Sequence, residues 1–451
     1  MTDRFDILVV GAGPAGIAAA VTAADAGRTV ALLDDNPVAG GQIWRSGGHE
    51  PAQARAWRER LERARLVRLQ GWRVVDSPEP QVLRAELNAG TAPPASGAPR
   101  AGNCADFGYK TLILATGARE RFLPFPGWTL PNVMGAGGLD AMARGGLPVA
   151  GKRIVVAGTG PLLFAVAAHL AHRGAKIVAV CEQASRGRLA RFTARMIGEP
   201  GKLWQGAGYS LTMGPTRLRT GCWPIAAHGD DQLRAVTLRQ GAKQWKVECD
   251  YLACGFHLVP NIELPALLGC HLSGGFVTTD DLMRTSAAGV YCAGEPTGIG
   301  GVDVSLLEGQ IAGLAAAGRT AEAQSLAARR QSKMGFVRAL REVCELNPQL
   351  RSLAADETIV CRCEDVRYGA LRRRGSWREA KLHARCGMGP CQGRICGAAT
   401  EFLFGWGADS VRPPMFPAQV SSLAASPNGA AGNGTAASAT AKFSVNAKET
   451  A

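Results

Sequence analysis

The feature that most restricts the fold is a strand–glycine turn–helix–strand–acid unit that occurs twice. Residues 5–10 (Phe-Asp-Ile-Leu-Val-Val) form an apolar strand that runs into Gly11-Ala-Gly13-Pro14-Ala15-Gly16. An alanine-rich helix follows to about Ala26, then a strand from Thr29 to Leu33 that ends on Asp34. The pattern restarts at Lys152, with a strand from Arg153 to Ala157, a turn at Gly158-Thr-Gly160, a helix from Pro161 to Arg173 and a strand from Ile177 to Val180, ending near Glu182. Each unit places parallel strands side by side with a helix between them. Two of them, 147 positions apart, predict an α/β protein with two Rossmann-like dinucleotide-binding domains.

The first turn has every part such a site needs. Gly11 permits the tight turn, Gly13 lets the backbone approach a pyrophosphate, and Gly16 lets helix and strand pack closely. The helix N-terminus presents free N–H groups and its positive dipole end to the phosphates. Asp34, 23 residues after Gly11, offers acceptors to a ribose, and its charge repels a 2′-phosphate. The second turn departs from the pattern because Leu163 replaces the third glycine, and a leucine there is expected to push the helix off its strand. Glu182, 24 residues after Gly158, still suits a ribose. For Gly158, Gly160 and Glu182 three readings stay open: NADH, an adenine nucleotide without a redox role, and an empty site.

At 451 residues the chain has room for two to three domains. Its 46% hydrophobic and 20% charged residues exclude a fibre, and exclude disorder for most of its length. The organisation expected is a first domain over residues 1–150, a second dinucleotide domain over 151–275, a return to the first over 276–325, a helical region with a cysteine module over 326–410, and a Pro-rich segment with a disordered tail over 411–451. The net charge of +14 is spread along the chain apart from Arg372-Arg373-Arg374. It suits an anionic cofactor, an acidic partner or a solvated face better than nucleic acid. No uncharged apolar run reaches 18 residues and no export signal precedes the first strand, so a cytoplasmic chain with no transmembrane segment is expected.

Of thirteen cysteines, eight are scattered in mostly apolar surroundings and read as buried thiols. The other five, Cys361, Cys363, Cys386, Cys391 and Cys396, fall within 36 residues, which in a reducing compartment points to metal or redox chemistry. Thiolates select zinc or iron–sulfur, and the Cys361-Arg-Cys363 spacing is tight for zinc. A CxC and a CxxxxC pair with glycines between them suit a 2Fe–2S cluster.

Three resemblances follow from these residues. Gly40-Gly41-Gln42, Ala115-Thr116-Gly117 and Thr285-Ser-Ala-Ala-Gly-Val-Tyr-Cys-Ala-Gly294-Glu295, taken with the first turn, resemble the FAD-binding pattern of the flavoproteins that include thioredoxin and glutathione reductases. The resemblance implies FAD on Gly11, Gly13, Pro14, Ala15, Gly16, Asp34, Asp35, Gly41, Gln42, Thr116, Gly117, Gly294 and Glu295. Gly41-Gln42 would lie along the flavin and Thr116-Gly117 near the adenosine. The downstream acid of that family is usually Asp, and Glu295 is one methylene longer. No CxxC occurs anywhere in the chain and Ile43-Trp44-Arg45 contains no cysteine, so disulfide reductase activity is not expected.

Residues 360–405 (Cys-x-Cys-Glu-Asp … Gly-Met-Gly-Pro-Cys-Gln-Gly-Arg-x-Cys) resemble the small helical bacterioferritin-associated-ferredoxin-like 2Fe–2S domain. That resemblance implies Cys361, Cys363, Cys391 and Cys396 as ligands, because its second pair starts after the Gly-x-Gly turn, and leaves Cys386 outside. The order of the parts resembles the alpha subunits of heteromeric bacterial amino-acid dehydrogenases: opine oxidase, D-hydroxyproline and L-proline dehydrogenase, and hydrogen cyanide synthase. It implies a relay of electrons from an amine-oxidising, D-amino-acid-oxidase-like beta subunit through flavin and cluster to an acceptor. In several members FMN lies between the subunits, and a small third subunit belongs to the same pattern. This accounts for the absence of any acid/base pair placed by motif near the flavin. The rivals are a self-contained NADH-dependent acceptor reductase and a non-enzymatic redox sensor.

Overall fold

The computed structural model describes residues 3–44, 51–88, 103–195, 218–407 and 411–424. The tail expected to be disordered therefore lies almost wholly outside the described residues.

The first glycine unit folds as the sequence predicts. Strand β1 (Asp3–Val10), helix α1 (Pro14–Asp25) and strand β2 (Val30–Asp34) begin a sheet that continues through β3 (Val67–Gln70) on one side and β6 (Cys104–Leu114) on the other. All of these pairings are parallel. The N-terminal half of β6 pairs antiparallel with β5 (Val82–Leu87), which pairs with β4 (Trp72–Glu79). Its C-terminal half pairs with the far-downstream β19 (Val290–Cys292). The stretch from Trp72 to Leu87 supplies this antiparallel edge, and residues 89–102 are not described.

The second sheet is all parallel, in the order β11 (Leu218–Thr220), β10 (Lys176–Glu182), β9 (Arg153–Thr159), β15 (Tyr251–Phe256) and β8 (Val133–Gly135). Beside it lies an antiparallel sheet of β12 (Cys222–His228), β13 (Ala235–Gln240) and β14 (Lys243–Glu248). Because β8 hydrogen-bonds to β15, the second unit begins before residue 150. A two-stranded crossing of β7 (Ala118–Glu120) and β16 (Leu258–Pro260) joins the units where the chain leaves and re-enters the first.

Helices α1 and α7 (Val302–Ala316) pack backbone to backbone. A Cβ on Gly309 would lie 2.1 Å from the Ala15 carbonyl oxygen, and one on Gly313 would lie 2.5 Å from that of Ala19. Small residues on both helices permit this approach, which fixes the first glycine turn against the returning chain. The long helix α8 (Thr320–Cys344) then leads to the cysteine module, built from β20 (Ile359–Cys361), β21 (Val366–Arg367), α9 (Tyr368–Leu371), α10 (Trp377–Ala384) and α11 (Cys396–Phe404).

Candidate flavin cradle and cysteine centre

The first turn is held by its own acid. The Ala12 N–H donates to one Asp34 oxygen, and the backbone and side-chain N–H groups of Asn36 donate to the other at 2.7 and 2.9 Å. Burial pushes the Asp34 carboxyl above its usual range. Gly11 has φ +103°, and a Cβ there would lie 2.2 Å from the Ala115 oxygen; a Cβ on Gly16 would lie 1.7 Å from the Gly11 oxygen. Gly13 differs: its φ of −76° suits any residue, and among the described residues a Cβ there meets only the Gly41 Cα, at 3.9 Å. The space over Gly13 is an open cradle at the start of α1.

The other expected residues fall in three places. Gly41 backs onto Gly13, held by the Gly40 N–H donating to the Ala12 oxygen at 2.8 Å, and Gln42 is exposed beside it. Asp35 is on the surface facing Arg73 at 3.6 Å. Thr116 and Gly117 meet Asn261: the Thr116 hydroxyl donates to the Asn261 oxygen at 2.6 Å, and the Asn261 N–H donates to the Gly117 oxygen at 2.9 Å. Gly294 closes on Ala15, where a Cβ would lie 2.8 Å from the Ala15 Cβ.

Next to Gly294, Glu295 is half-buried and one of its oxygens accepts from the Gly301 N–H at 3.3 Å. Its other oxygen, Oε2, has no hydrogen-bond partner among the described residues. Desolvation raises its carboxyl to about 7. A buried, orphaned acceptor beside an open phosphate cradle fits a polyhydroxy chain carried by a dinucleotide. Sequence reasoning missed Glu308, which sits in the middle of apolar α7. It takes the Gly294 N–H at 2.8 Å, the Thr297 hydroxyl at 2.9 Å and Arg330 at 2.7 Å, and so sets the backbone around Glu295. An isolated acid in an apolar helix is the signal that marks it.

In the second unit the helix forms despite Leu163. The leucine is fully buried among Ile154, Val156, Val166 and Leu170. Gly158 takes a different shape from Gly11, with φ +143°, and gives its oxygen to the Gln183 N–H at 2.8 Å. Glu182 accepts from the Thr159 hydroxyl at 2.7 Å, the Gly160 N–H at 2.7 Å and the Ala184 N–H at 2.8 Å.

The cysteine module forms two groups of thiols. The sulfurs of Cys361, Cys386 and Cys396 lie within 4.8 Å of one another and are buried. The exposed Cys363 meets Cys391, whose N–H donates to its sulfur. Cys386 thus stands with two of the expected ligands rather than apart from them. The reason is local: Arg385 adopts φ +59° at the end of α10 and turns the next residue inward. The Gly387 N–H donates to the Cys361 sulfur at 3.5 Å, and hydrogen bonds from Cys386 and Cys396 hold the Cys361 thiol far below its usual range. The glycines are fitted to Trp377: a Cβ on Gly387 or Gly393 would come within 2.6 or 2.9 Å of its ring. A Cβ on Gly389 would lie 2.3 Å from the Cys363 Cβ.

Arg119, just after Gly117, joins cradle and cysteines. It donates to the Arg394 oxygen at 3.0 Å and pairs with Glu263 at 2.9 Å, and Arg394 in turn donates to the Cys391 oxygen at 3.3 Å.

The chain is similar to several known proteins. Residues 5–321 match the family described as pyridine nucleotide-disulphide oxidoreductase. The chain is 31% identical to the A subunit of opine oxidase from Rhizobium meliloti (strain 1021), over 93% of this chain and 98% of that protein. It is 32% identical to the corresponding opine oxidase protein of Agrobacterium tumefaciens (strain Ach5), over 95% and 93%. It is 30% identical to the HcnB subunit of hydrogen cyanide synthase from Pseudomonas aeruginosa, over 86% and 90%. Among solved structures the fold matches L-proline dehydrogenase of P. horikoshii with a TM-score of 0.66 at 18% identity, covering 94% of this chain and 81% of that one. It matches T. acidophilum thioredoxin reductase with a TM-score of 0.53 at 20% identity, covering 70% and 99%. Among the described residues no helix is long and apolar enough to cross a membrane. The chain is an oxidoreductase that belongs to the pyridine nucleotide-disulphide oxidoreductase family, alongside the A subunits of opine oxidase and the HcnB subunit of hydrogen cyanide synthase.

Proposed function

We propose that the chain is the electron-transferring subunit of a heteromeric dehydrogenase of the opine, proline or hydroxyproline type. In this reading it carries FAD in the first cradle and a 2Fe–2S cluster on the cysteine module, and a separate flavoprotein subunit oxidises the amine. The observation that carries the reading is the direct link through Arg119 and Arg394 between the cradle and the cysteines, in a chain whose near full-length relatives are subunits.

FAD, when bound, supplies a centre able to take and pass on electrons. The chain's own part is to hold and isolate it. Gly13 and the start of α1 receive the pyrophosphate, the Glu295 Oε2 accepts from a hydroxyl of the linking chain, and Glu308 with Arg330 keeps Glu295 in place. At the other end Cys361 and Cys396 form one sulfur pair and Cys363 and Cys391 the other, which suits two irons with two terminal thiolates each. Cys386 is then a neighbouring thiol that donates toward the Cys361 sulfur.

Iron and sulfide analysis of five single Cys→Ala variants, purified anaerobically, tests the assignment. Loss in Cys361, Cys363, Cys391 and Cys396 variants with retention in Cys386→Ala is the expected outcome. Retention in Cys396→Ala with loss in Cys386→Ala would reassign the ligand, and zinc in place of iron would remove the cluster. Affinity purification of the chain from its native source should bring down a second flavoprotein whose amine oxidation reduces the complex. A chain that turns over alone would defeat the subunit reading.

A further inference from the structure

We infer that the second dinucleotide fold is sealed by the chain's own segment 342–347, so that electrons do not enter this protein from a nicotinamide nucleotide. The inference deepens the relay reading by saying where its electrons do not come from, while the seal itself rests on geometry alone.

The molecule contains its own control, because both glycine units belong to one chain. Gly11 and Gly13 are partly open to solvent, and the space over Gly13 holds nothing nearer than the Gly41 Cα at 3.9 Å among the described residues. Gly158 and Gly160 are buried, and the sulfur of Cys344 stands 3.0 Å from where a Cβ on Gly160 would lie. Gly160 holds the position at which a backbone approaches the pyrophosphate, so a protein atom occupies that approach. The acids of the two units are buried alike, Asp34 at 8% and Glu182 at 1% exposure, so the difference between the units lies over the glycines.

The seal is built into the structure. Gln183 donates to the Glu345 oxygen at 3.1 Å and accepts from the Asn347 N–H at 2.9 Å. Arg188 donates to the Glu345 oxygen at 2.8 Å. Cys344 ends α8, so the negative end of that helix dipole meets the positive start of α4 (Pro161–His172), which in the first unit is left for phosphate. A phosphate arriving here would have to displace the thiol and face the end of a helix that repels it.

The test uses the full-length, FAD-loaded chain. It is titrated anaerobically with NADH and with NADPH while flavin absorbance is followed, and in parallel Cys344 is alkylated with iodoacetamide, with and without NADH or ADP, and read by mass spectrometry. The expected results are no flavin bleaching, no saturable nucleotide binding, and slow alkylation that nucleotide does not change. Rapid bleaching, saturable binding, or nucleotide-stimulated alkylation of Cys344 would overturn the seal. Gln183→Ala removes two of the anchoring hydrogen bonds and should speed Cys344 alkylation by about tenfold; an unchanged rate would also refute it. FAD content and amine-driven reduction of the co-purified complex, measured on the same preparation, report on the relay reading separately. A complex that oxidises amine and also takes electrons from NADH would sink the seal alone.

Discussion

The contrast among three glycines of the first turn yields a test that separates binding from folding. Gly13→Ala adds a methyl group in an extended backbone conformation open to any residue, 3.9 Å from its nearest neighbour among the described residues. Its cost to the apoprotein is the loss of a good N-cap residue, on the order of 1 kcal/mol or less, or about 2–4 °C in Tm. Bound dinucleotide changes this, because the methyl then occupies the pyrophosphate's approach. An overpacking cost of about 1–3 kcal/mol weakens FAD binding about 5- to 150-fold. Gly11→Ala is the opposite case: its Cβ would lie 2.2 Å from the Ala115 oxygen at φ +103°, so the sheet itself must break. Scanning fluorimetry of flavin-stripped protein and FAD titration by flavin fluorescence measure the two effects. Gly13→Ala should melt within a few degrees of wild type yet hold FAD poorly, and Gly11→Ala should yield little folded protein. Wild-type FAD affinity in Gly13→Ala, or a folding defect as severe as that of Gly11→Ala, would refute the cradle.

Further consequences can be measured on the same protein. Glu295 has its folded carboxyl raised to about 7 from an ordinary 4.5, so it favours the protonated form when folded and its contribution to apoprotein stability is lost as pH rises between those values. Glu295→Gln should therefore raise the stability of the apoprotein at pH 8 but not at pH 4, by an amount on the order of 3 kcal/mol or less, seen as a higher Tm at pH 8 alone, and should weaken FAD retention; equal Tm shifts at both pH values would contradict this. Gly309→Ala should lower stability by about 1–3 kcal/mol by prising α7 from the Ala15 backbone, measured by urea denaturation. Gly387→Ala, forced against the Trp377 ring at φ +79°, should lower iron content although it removes no thiol, and normal iron loading would show the loop is not fitted to that ring.

The sequence determined the fold because local chemistry repeats it. Strand, glycine turn, helix and acid recur at fixed spacing, and a turn that needs φ +103° at Gly11 and no side chain at Gly16 can be read from those residues. Leu163 also shows where such reading stops: a leucine at the third glycine position is expected to displace the helix, yet it buries fully in the core while Gly158 adopts its own turn. Everything that depends on distant parts of the chain needed the tertiary structure. No local pattern places Glu308 behind Glu295, joins Arg119 to Arg394, or turns Cys386 toward Cys361 through a left-handed Arg385. The same holds for Cys344 over Gly160, a contact between residues 184 positions apart that only the path of α8 can bring about. Spacing encodes a turn because its residues are neighbours in the chain, whereas whether a nucleotide can enter that turn depends on what the rest of the chain packs above it.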